Sequence, residues 1–123
     1  ADFSTTSTTD ADITSATVTF TTSTGASQVV WFNCTFAFSG SIDGELSIDI
    51  AGAEEMTFHA NQRTAGQKFA GSMVVRKTGL ASASTIFKAR CRTDSGTLTI
   101  DNAAEGSNKS VWSLVVMEID AGG

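Results

Sequence analysis

The sequence predicts an all-β protein, an antiparallel β-sandwich of about eight to nine short strands, from three features of its 123 residues. Apolar side chains recur at every second position in short runs, which is the period of a half-buried strand. Serine and threonine are abundant, whereas the helix-favouring leucine, lysine and glutamine are scarce. Proline is absent, so the eleven glycines supply the turns. Many short strands at close spacing favour a jelly roll.

Charge and hydropathy narrow the classes of partner. The formal net charge of −5 and the pI near 4.6 argue against binding to nucleic acid, which requires clustered lysine and arginine. No run of about 18 apolar residues is present, so we expect no membrane partner. A chain of 123 residues is long enough for one domain that folds without metals or disulfides.

The chain divides into a short arm and one domain. Residues 1–12 are mostly serine, threonine and aspartate, with Phe3 as the one large apolar side chain. Such a segment contributes little to a core and is predicted to be a flexible arm, either disordered or docked on a neighbouring molecule. Residues 13–123 are predicted to form a single jelly-roll domain.

The first two predicted strands cover residues 13–22 and 28–39, with a turn at Gly25 between them. In the second strand, one alternate row is strongly apolar: Val30, Phe32, Cys34, Phe36 and Phe38. This row predicts the central strand of the core. Trp31 lies in the opposite row, which makes it a candidate interface anchor, although an exposed tryptophan can also stack on sugar rings.

The middle of the chain is less regular. A turn is predicted over Gly40-Ser-Ile-Asp-Gly44, where Asp43-Gly44 offers the positive φ of a tight hairpin, and a strand over residues 45–50 follows. Residues 51–71 are ambiguous, because the alternation around Phe58 fits a strand whereas the same residues also fit a short helix. We favour the strand.

Three further strands are predicted at residues 72–77, 85–93 and 97–101, and a loop follows from residue 102 to residue 108. The strand at residues 85–93 has an apolar row and an opposite row of cations, Lys88, Arg90 and Arg92. Arg76 and Lys77 add cations from another strand. We interpret the basic row as a salt-bridged sheet face or subunit contact, and a site for an anionic ligand is the alternative.

The final predicted strand, residues 110–120, is apolar on both of its faces. One row consists of Trp112, Leu114 and Val116, and the other of Val111, Val115, Met117 and Ile119. A small β domain has one core, so the second row needs another cover. In a chain of this length the simplest cover is another copy of the same protein. The second row and Trp31 are therefore predicted to form an oligomer interface.

The two cysteines, Cys34 and Cys91, both fall in the inward rows of their predicted strands. This placement permits a disulfide across the core and equally permits two buried thiols that pack as apolar groups. Nothing in the sequence marks secretion, and two cysteines are few for a disulfide scaffold, which favours reduced thiols.

No catalytic or metal-binding constellation is apparent in the sequence. His59 is the only histidine, which argues against a zinc site and a nucleophile triad. The carboxylates lack the spacing of an Asp-rich calcium loop, and no pair of them is singled out for glycoside hydrolysis. We therefore expect a protein that is not an enzyme and that has no cofactor.

The C-terminal half resembles small jelly rolls of bacteriophage virion proteins. The segments that carry the resemblance are Phe87-Lys-Ala-Arg-Cys-Arg-Thr-Asp-Ser-Gly-Thr-Leu-Thr-Ile100 and Ser113-Leu-Val-Val-Met-Glu-Ile119, together with the turn at Ile42-Asp-Gly44. In those domains a strand with lysine and arginine, a Gly-Thr turn and a final Leu-x-Val-x-Glu strand recur. The resemblance covers residues 13–120 and extends to tumour-necrosis-factor-like and complement-head jelly rolls, which pack as trimers.

The resemblance implies a homotrimer with a structural role in a virion, synthesised in the host cytoplasm. Such modules act as capsid decoration proteins, head fibres or receptor-binding tips of tail fibres. We expect no coiled-coil or β-helical shaft on this domain, which favours a decoration protein that binds the major capsid protein and reinforces the outer capsid surface. Phe3 and Asp10 of the arm are then the expected capsid contacts. The alternative is a receptor- or glycan-binding tip of a fibre or spike.

Overall fold

The computed structural model describes residues 2–101 and 112–120, and these form two antiparallel β-sheets packed face to face. The strands are β1 (Phe3–Thr5), β2 (Ala11–Thr21), β3 (Ser27–Phe38), β4 (Ile42–Ile50), β5 (Ala53–Gln62), β6 (Phe69–Lys77), β7 (Ser84–Thr93), β8 (Leu98–Ile100) and β9 (Ser113–Ile119). The described ranges contain no helix, and in particular none of the length and apolarity that a membrane crossing needs.

The strand order is that of a jelly roll. Sheet I has the order β1-β8-β3-β6, with β9 also paired to β3, and sheet II has the order β2-β7-β4-β5. Every pairing is antiparallel. Apart from the β4–β5 and β8–β9 connections, which stay within one sheet, the chain passes from one sheet to the other at each step. The predicted fold class is confirmed.

The strand β3 is central in sheet I, as its row of phenylalanines predicts. Phe32, Phe36 and Phe38 point inward and are at most 3% exposed. They belong to one core cluster with the inward residues of sheet II, among them Ile48 and Phe87. Full burial of a side chain of this kind contributes about 1.5–3 kcal/mol, so this row is a main anchor between the sheets.

Polar contacts tie the two sheets together near their edges. The side-chain amide of Gln62, fully buried at the end of β5, accepts a hydrogen bond from the Phe38 N–H at 2.7 Å and donates one to the Phe38 carbonyl at 2.8 Å. It thereby serves as an extra backbone-like partner for the end of β3. Between the edge strands β5 and β6, Lys77 forms an ion pair with Glu55 at 2.6 Å.

The strands β8 and β9 pair with the same edge of β3, one after the other along its length. The Asp101 N–H donates to the Thr35 carbonyl at 2.9 Å and so continues the pairing of β8. Ser113, the first residue of β9, pairs with Asn33, so only the position opposite Cys34 lies between them. A continuous strand would need one residue between Asp101 and Ser113, whereas the chain has eleven between them, residues 102–112. Ten of these eleven residues are therefore not needed for the pairing with β3.

The chain turns at residues 39–41, so the turn predicted over residues 40–44 is correct for its first residues and wrong for Asp43-Gly44. Both residues lie within β4, and Gly44 is not among the residues with positive φ. A Cβ atom on Gly44 would lie 2.6 Å from the Arg92 carbonyl oxygen and 2.7 Å from the Phe38 ring. Glycine is required here by close packing and not by a turn.

The tight hairpin turn of this region lies instead at Ala51-Gly52, between β4 and β5. Ile50 pairs with Ala53, so the loop has two residues. Their φ angles of 54° and 86° are those of a type I′ turn. The following strand β5 settles the ambiguous segment at residues 51–71 in favour of the predicted strand.

The first residues differ from the predicted flexible arm. Phe3–Thr5 form β1, which pairs with β8, and β2 begins at Ala11. Phe3 packs against the core with partial burial. Strand pairing and this one aromatic contact hold the segment on the sandwich, although its serine and threonine content predicts little core contact.

The register of β8 and β9 predicts that residues 102–111 can be removed without loss of the fold. In the shortened chain Trp112 follows Asp101 and takes the position opposite Cys34, so β8 and β9 become one strand whose inward and outward faces are unchanged. We expect one cooperative thermal transition with a midpoint within about 3 °C of the parent, measured by circular dichroism.

Removal of residues 102–110 is the matched control for this deletion. The one extra residue must either bulge or shift β9 by one position, and the shift would turn Trp112 away from the core. We expect the midpoint to lie more than about 5 °C below that of the ten-residue deletion. Equal midpoints for the two deletions would contradict the register in which β8 and β9 pair with one edge of β3 and leave a gap of one residue.

The turn geometry predicts that Ala51→Asn stabilises the protein. Alanine at positive φ bears a steric cost that asparagine, a preferred first residue of type I′ turns, largely avoids. We expect a gain of about 0.5–1 kcal/mol in urea denaturation. Ala53→Asn, in the adjoining strand, should bring no gain. If both variants shift stability alike, the turn is not of type I′.

Candidate assembly surface

The outer face of sheet I carries a continuous group of apolar side chains, here called the apolar face. Its members are Val29, Trp31, Val74, Val115, Met117 and Ile119. Val74, Val115 and Met117 are 48%, 49% and 45% exposed, and the central Val29 and Trp31 are half-buried by their neighbours. Contiguous exposed apolar surface of this kind makes the face a candidate site of contact with another molecule.

Strand register makes the apolar face continuous. Trp31 on β3 lies between Val74 on β6 and Val115 on β9. Two residues further along, Val29 lies beside Met117. Directly paired residues on one face of a sheet have Cβ atoms about 4.5–5.5 Å apart, so these side chains are within contact range of one another.

The structure brings most of the predicted interface residues together. Trp31, Val115, Met117 and Ile119 all lie on the apolar face. Val111, the remaining predicted residue, lies outside the described residues. The alternation of β6 does not predict Val74 as an interface residue, because its row also contains Ser72 and Arg76 and gives a weak apolar signal. Only the pairing of β6 with β3 places Val74 beside Trp31.

The outer face of sheet II is built differently and is here called the charged face. Lys88, Arg90 and Arg92 project from β7, and carboxylates on the two neighbouring strands pair with them. Lys88 Nζ lies 2.7 Å from Asp12 Oδ2, and Arg92 Nε lies 2.8 Å from Glu45 Oε2. The salt-bridged sheet face predicted from the basic row is confirmed.

The third cation of this row also has a carboxylate partner, since Arg90 Nε lies 3.0 Å from Asp12 Oδ1. Arg76 and Lys77, which the sequence analysis grouped with the row, lie on β6 in sheet I. Lys77 pairs there with Glu55. The basic row of β7 is therefore a local feature of sheet II.

Ion pairing changes the titration of the charged face. The hydrogen bond from Lys88 lowers the pKa of Asp12, and the hydrogen bond from Arg92 lowers the pKa of Glu45. For Asp10 the largest effect is burial, which raises the pKa of this carboxyl group. The paired carboxylates thus stay ionised to lower pH than isolated ones.

Phe3 and Asp10, the predicted capsid contacts, do not form one surface. Phe3 lies on β1 in sheet I, whereas Asp10 precedes β2 and lies within electrostatic range of Arg90 and Arg92 on the charged face. Oδ1 of Asp10 is buried without a hydrogen-bond partner among the described residues.

The two cysteines and the histidine occupy ordinary structural positions. Cys34 and Cys91 are free and buried in the core. Burial raises the pKa of each thiol to about 12, so both stay neutral at physiological pH and pack as small apolar groups. His59 is exposed on the charged face, with Nδ1 3.3 Å from Glu45 Oε1.

Neither metal chemistry nor comparison with known proteins assigns a function. Within residues 2–101 and 112–120, no three histidine, cysteine or carboxylate side chains are grouped so that they could hold a metal ion. No protein-family model matches the chain, and no curated protein matches it. The resemblance to virion jelly rolls remains a prediction. The two outer faces of the sandwich are therefore the candidate functional surfaces.

The paired carboxylates predict how stability changes in acid. Because folding lowers the pKa of Glu45, this group contributes stability that is fully present above its unfolded pKa of about 4.3 and is lost as the pH falls through the lower folded pKa. We expect Glu45→Gln to lower the urea midpoint at about pH 7 and to change it little at about pH 2.5. An equal loss at both pH values would contradict this assignment.

Proposed function

We propose that the protein is a non-enzymatic structural subunit of a virion that assembles with copies of itself through the apolar face. The observation that carries the proposal is the exposure of Val74, Val115 and Met117 in one patch around Trp31. No described element of the same chain covers these side chains. Removing such surface from water contributes about 25 cal/mol per Å², which favours association.

The distribution of charge favours a second copy as the molecule that covers the apolar face. The chain has a formal net charge of −5, so identical molecules repel when their carboxylate-rich surfaces approach. Among the outward residues of β3, β6 and β9, Arg76 is the only charged one, and its Nη2 donates to Ser27 Oγ at 2.9 Å. Two copies therefore meet with least repulsion through this surface.

The size of the apolar face suits the centre of an interface. A strand rise of about 3.3 Å and a strand spacing of about 4.8 Å make the patch about 20 Å long and 15 Å wide. A stable interface buries about 800 Å² on each partner, so it would extend over neighbouring polar residues. The next row along the strands, Asn33 with Ser72 and Ser113, would supply part of that polar rim.

The virion location and the three-fold arrangement are proposed from the sequence resemblance. Its two segments, residues 87–100 and 113–119, correspond to β7, β8 and β9, so the motif and the apolar face share β9. A jelly roll serves many functions, and the fold alone does not identify one. A trimeric decoration protein bound to the major capsid protein combines the resemblance with a self-associating face.

A fibre tip that binds receptors or glycans through Trp31 is the less favoured function. Trp31 is half-buried between Val74 and Val115. Sugar hydroxyls require convergent polar groups beside an aromatic ring, and the valines on either side supply none. The surroundings of Trp31 suit contact with an apolar protein surface better.

Light scattering tests the self-association of the apolar face. At micromolar concentration the parent should have three times the 12.8 kDa mass of one chain. Val115→Asp should reduce the mass to that of one chain while circular dichroism stays unchanged, because the side chain is exposed before assembly. Burying an unpaired carboxylate costs several kcal/mol, so we expect affinity to fall at least about 100-fold.

Ile86→Asp is the matched control, since Ile86 is 43% exposed on the opposite sheet. This variant should keep the assembled mass. A single-chain mass for the parent would contradict self-association, and equal effects of the two substitutions would contradict its assignment to the apolar face. The virion location is checked separately by mass spectrometry of purified virus particles, and absence of the chain from them would contradict that part.

A further inference from the structure

We propose that a cleft on the charged face binds a saccharide, a function separate from the assembly role of the apolar face. The cleft is open to solvent and has a volume of about 540 Å³, within the range of about 300–1,000 Å³ that is typical of small-molecule sites. Lys88 and Arg90 on β7 line it, with Asp12 of β2 on one side and Asp49 and the β4–β5 turn on the other.

An irregularity in β2 accompanies this cleft. Asp12 pairs with one residue of β7 and Thr17 with the residue two positions earlier, so the single residue Ala89 faces four residues of β2, residues 13–16. Ser15, within this segment, has a φ of 68°. Bulges bend an edge strand and re-aim the side chains beside them. Here the bulge separates Asp12, at the wall of the cleft, from the regular part of β2.

The charges that line the cleft balance each other. Lys88 and Arg90 supply two positive charges, and Asp12 and Asp49 supply two negative ones. An anionic ligand would compete with Asp12, whose oxygens already lie 2.7 Å from Lys88 Nζ and 3.0 Å from Arg90 Nε. The cleft therefore suits a neutral ligand that can both donate and accept hydrogen bonds.

The surroundings of Asp49 indicate that the ligand carries hydroxyl groups. Its side chain is only 8% exposed, and Oδ1 accepts a hydrogen bond from the Gly52 N–H at 3.0 Å. Oδ2 lies 3.7 Å from Arg90 Nη1, which is too far for a direct hydrogen bond. A hydroxyl placed between them would donate to Asp49 and accept from Arg90. Adjacent sugar hydroxyls match this alternation of acceptors and donors.

The β4–β5 turn forms part of the wall of the cleft. Ala51 lines the cleft with a φ of 54°, a strained value for a residue with a Cβ atom. Glycine or asparagine would adopt this conformation at lower cost. The two-residue hairpin accounts for this φ, and Ala51 adjoins Gly52, whose N–H donates a hydrogen bond to Asp49.

Binding is tested with the full chain on an array of immobilised neutral saccharides, followed by NMR titration with each saccharide that binds. We expect at least one to shift the backbone amides of Gly52 and Ile86 in a saturable way and to leave that of Trp31 unmoved. Inorganic phosphate is the competing probe. No binding to any saccharide, or saturable binding of phosphate alone, would overturn the proposal.

Substitutions within the cleft test the assignment to Asp49. Asp49→Asn keeps an acceptor for the Gly52 N–H but removes the charge, and we expect saccharide affinity to fall about tenfold or more. Asp12→Asn should also weaken binding. Because Asp12 is more exposed than Asp49, this substitution should destabilise the fold less. Glu45→Gln, on the same face outside the cleft, should bind as the parent does. Unchanged affinity in both cleft variants, folded by circular dichroism, would overturn the assignment.

Saccharide binding can be tested independently of assembly. Val115 lies on the other sheet. The Val115→Asp variant should therefore bind the saccharide with the parental affinity per chain, whatever its mass in light scattering. Loss of saccharide binding in this variant, with the fold intact, would contradict a site formed within one chain.

Discussion

Residues 29–32 of β3 are apolar on both faces of the strand, and this constraint organises the rest of the molecule. The inward phenylalanines of β3, led by Phe32, anchor sheet I against sheet II. Its outward residues Val29 and Trp31 lie at the centre of the apolar face, with β6 on one side and β9 on the other. Water disfavours apolar surface wherever it lies. The sandwich covers the inner face, and the proposed contact between copies covers the outer one.

The outer faces of the two sheets differ in their chemistry. In sheet II the cations of β7 are neutralised by carboxylates such as Asp12 and Glu45 on the neighbouring strands, so that face is stable in water as it stands. In sheet I the outward row contains almost no charge. Assembly through sheet I would leave the charged face and its cleft accessible, which is the arrangement expected of a subunit that also binds a ligand from solution.

Local patterns in the sequence predict the strands well and predict the contacts between strands poorly. Alternation places Trp31 on the outward side because the period of two is a property of one strand. It does not distinguish Gly44, which is needed for close packing, from a glycine needed for a turn. The position of Trp31 beside Val74, and the approach of Asp49 to Arg90, depend on the register of strands that are distant in the chain. No sequence pattern indicates that register.

Hydroxyl-radical footprinting across a dilution series tests most directly whether another copy covers the apolar face. Met117 and Ile86 have similar exposure in one chain, 45% and 43%, and lie on opposite sheets. If another copy covers the apolar face, modification of Met117 falls steeply as the protein is concentrated, because mass action drives assembly, whereas modification of Ile86 stays constant. Constant modification of both residues across the series would contradict coverage by another copy.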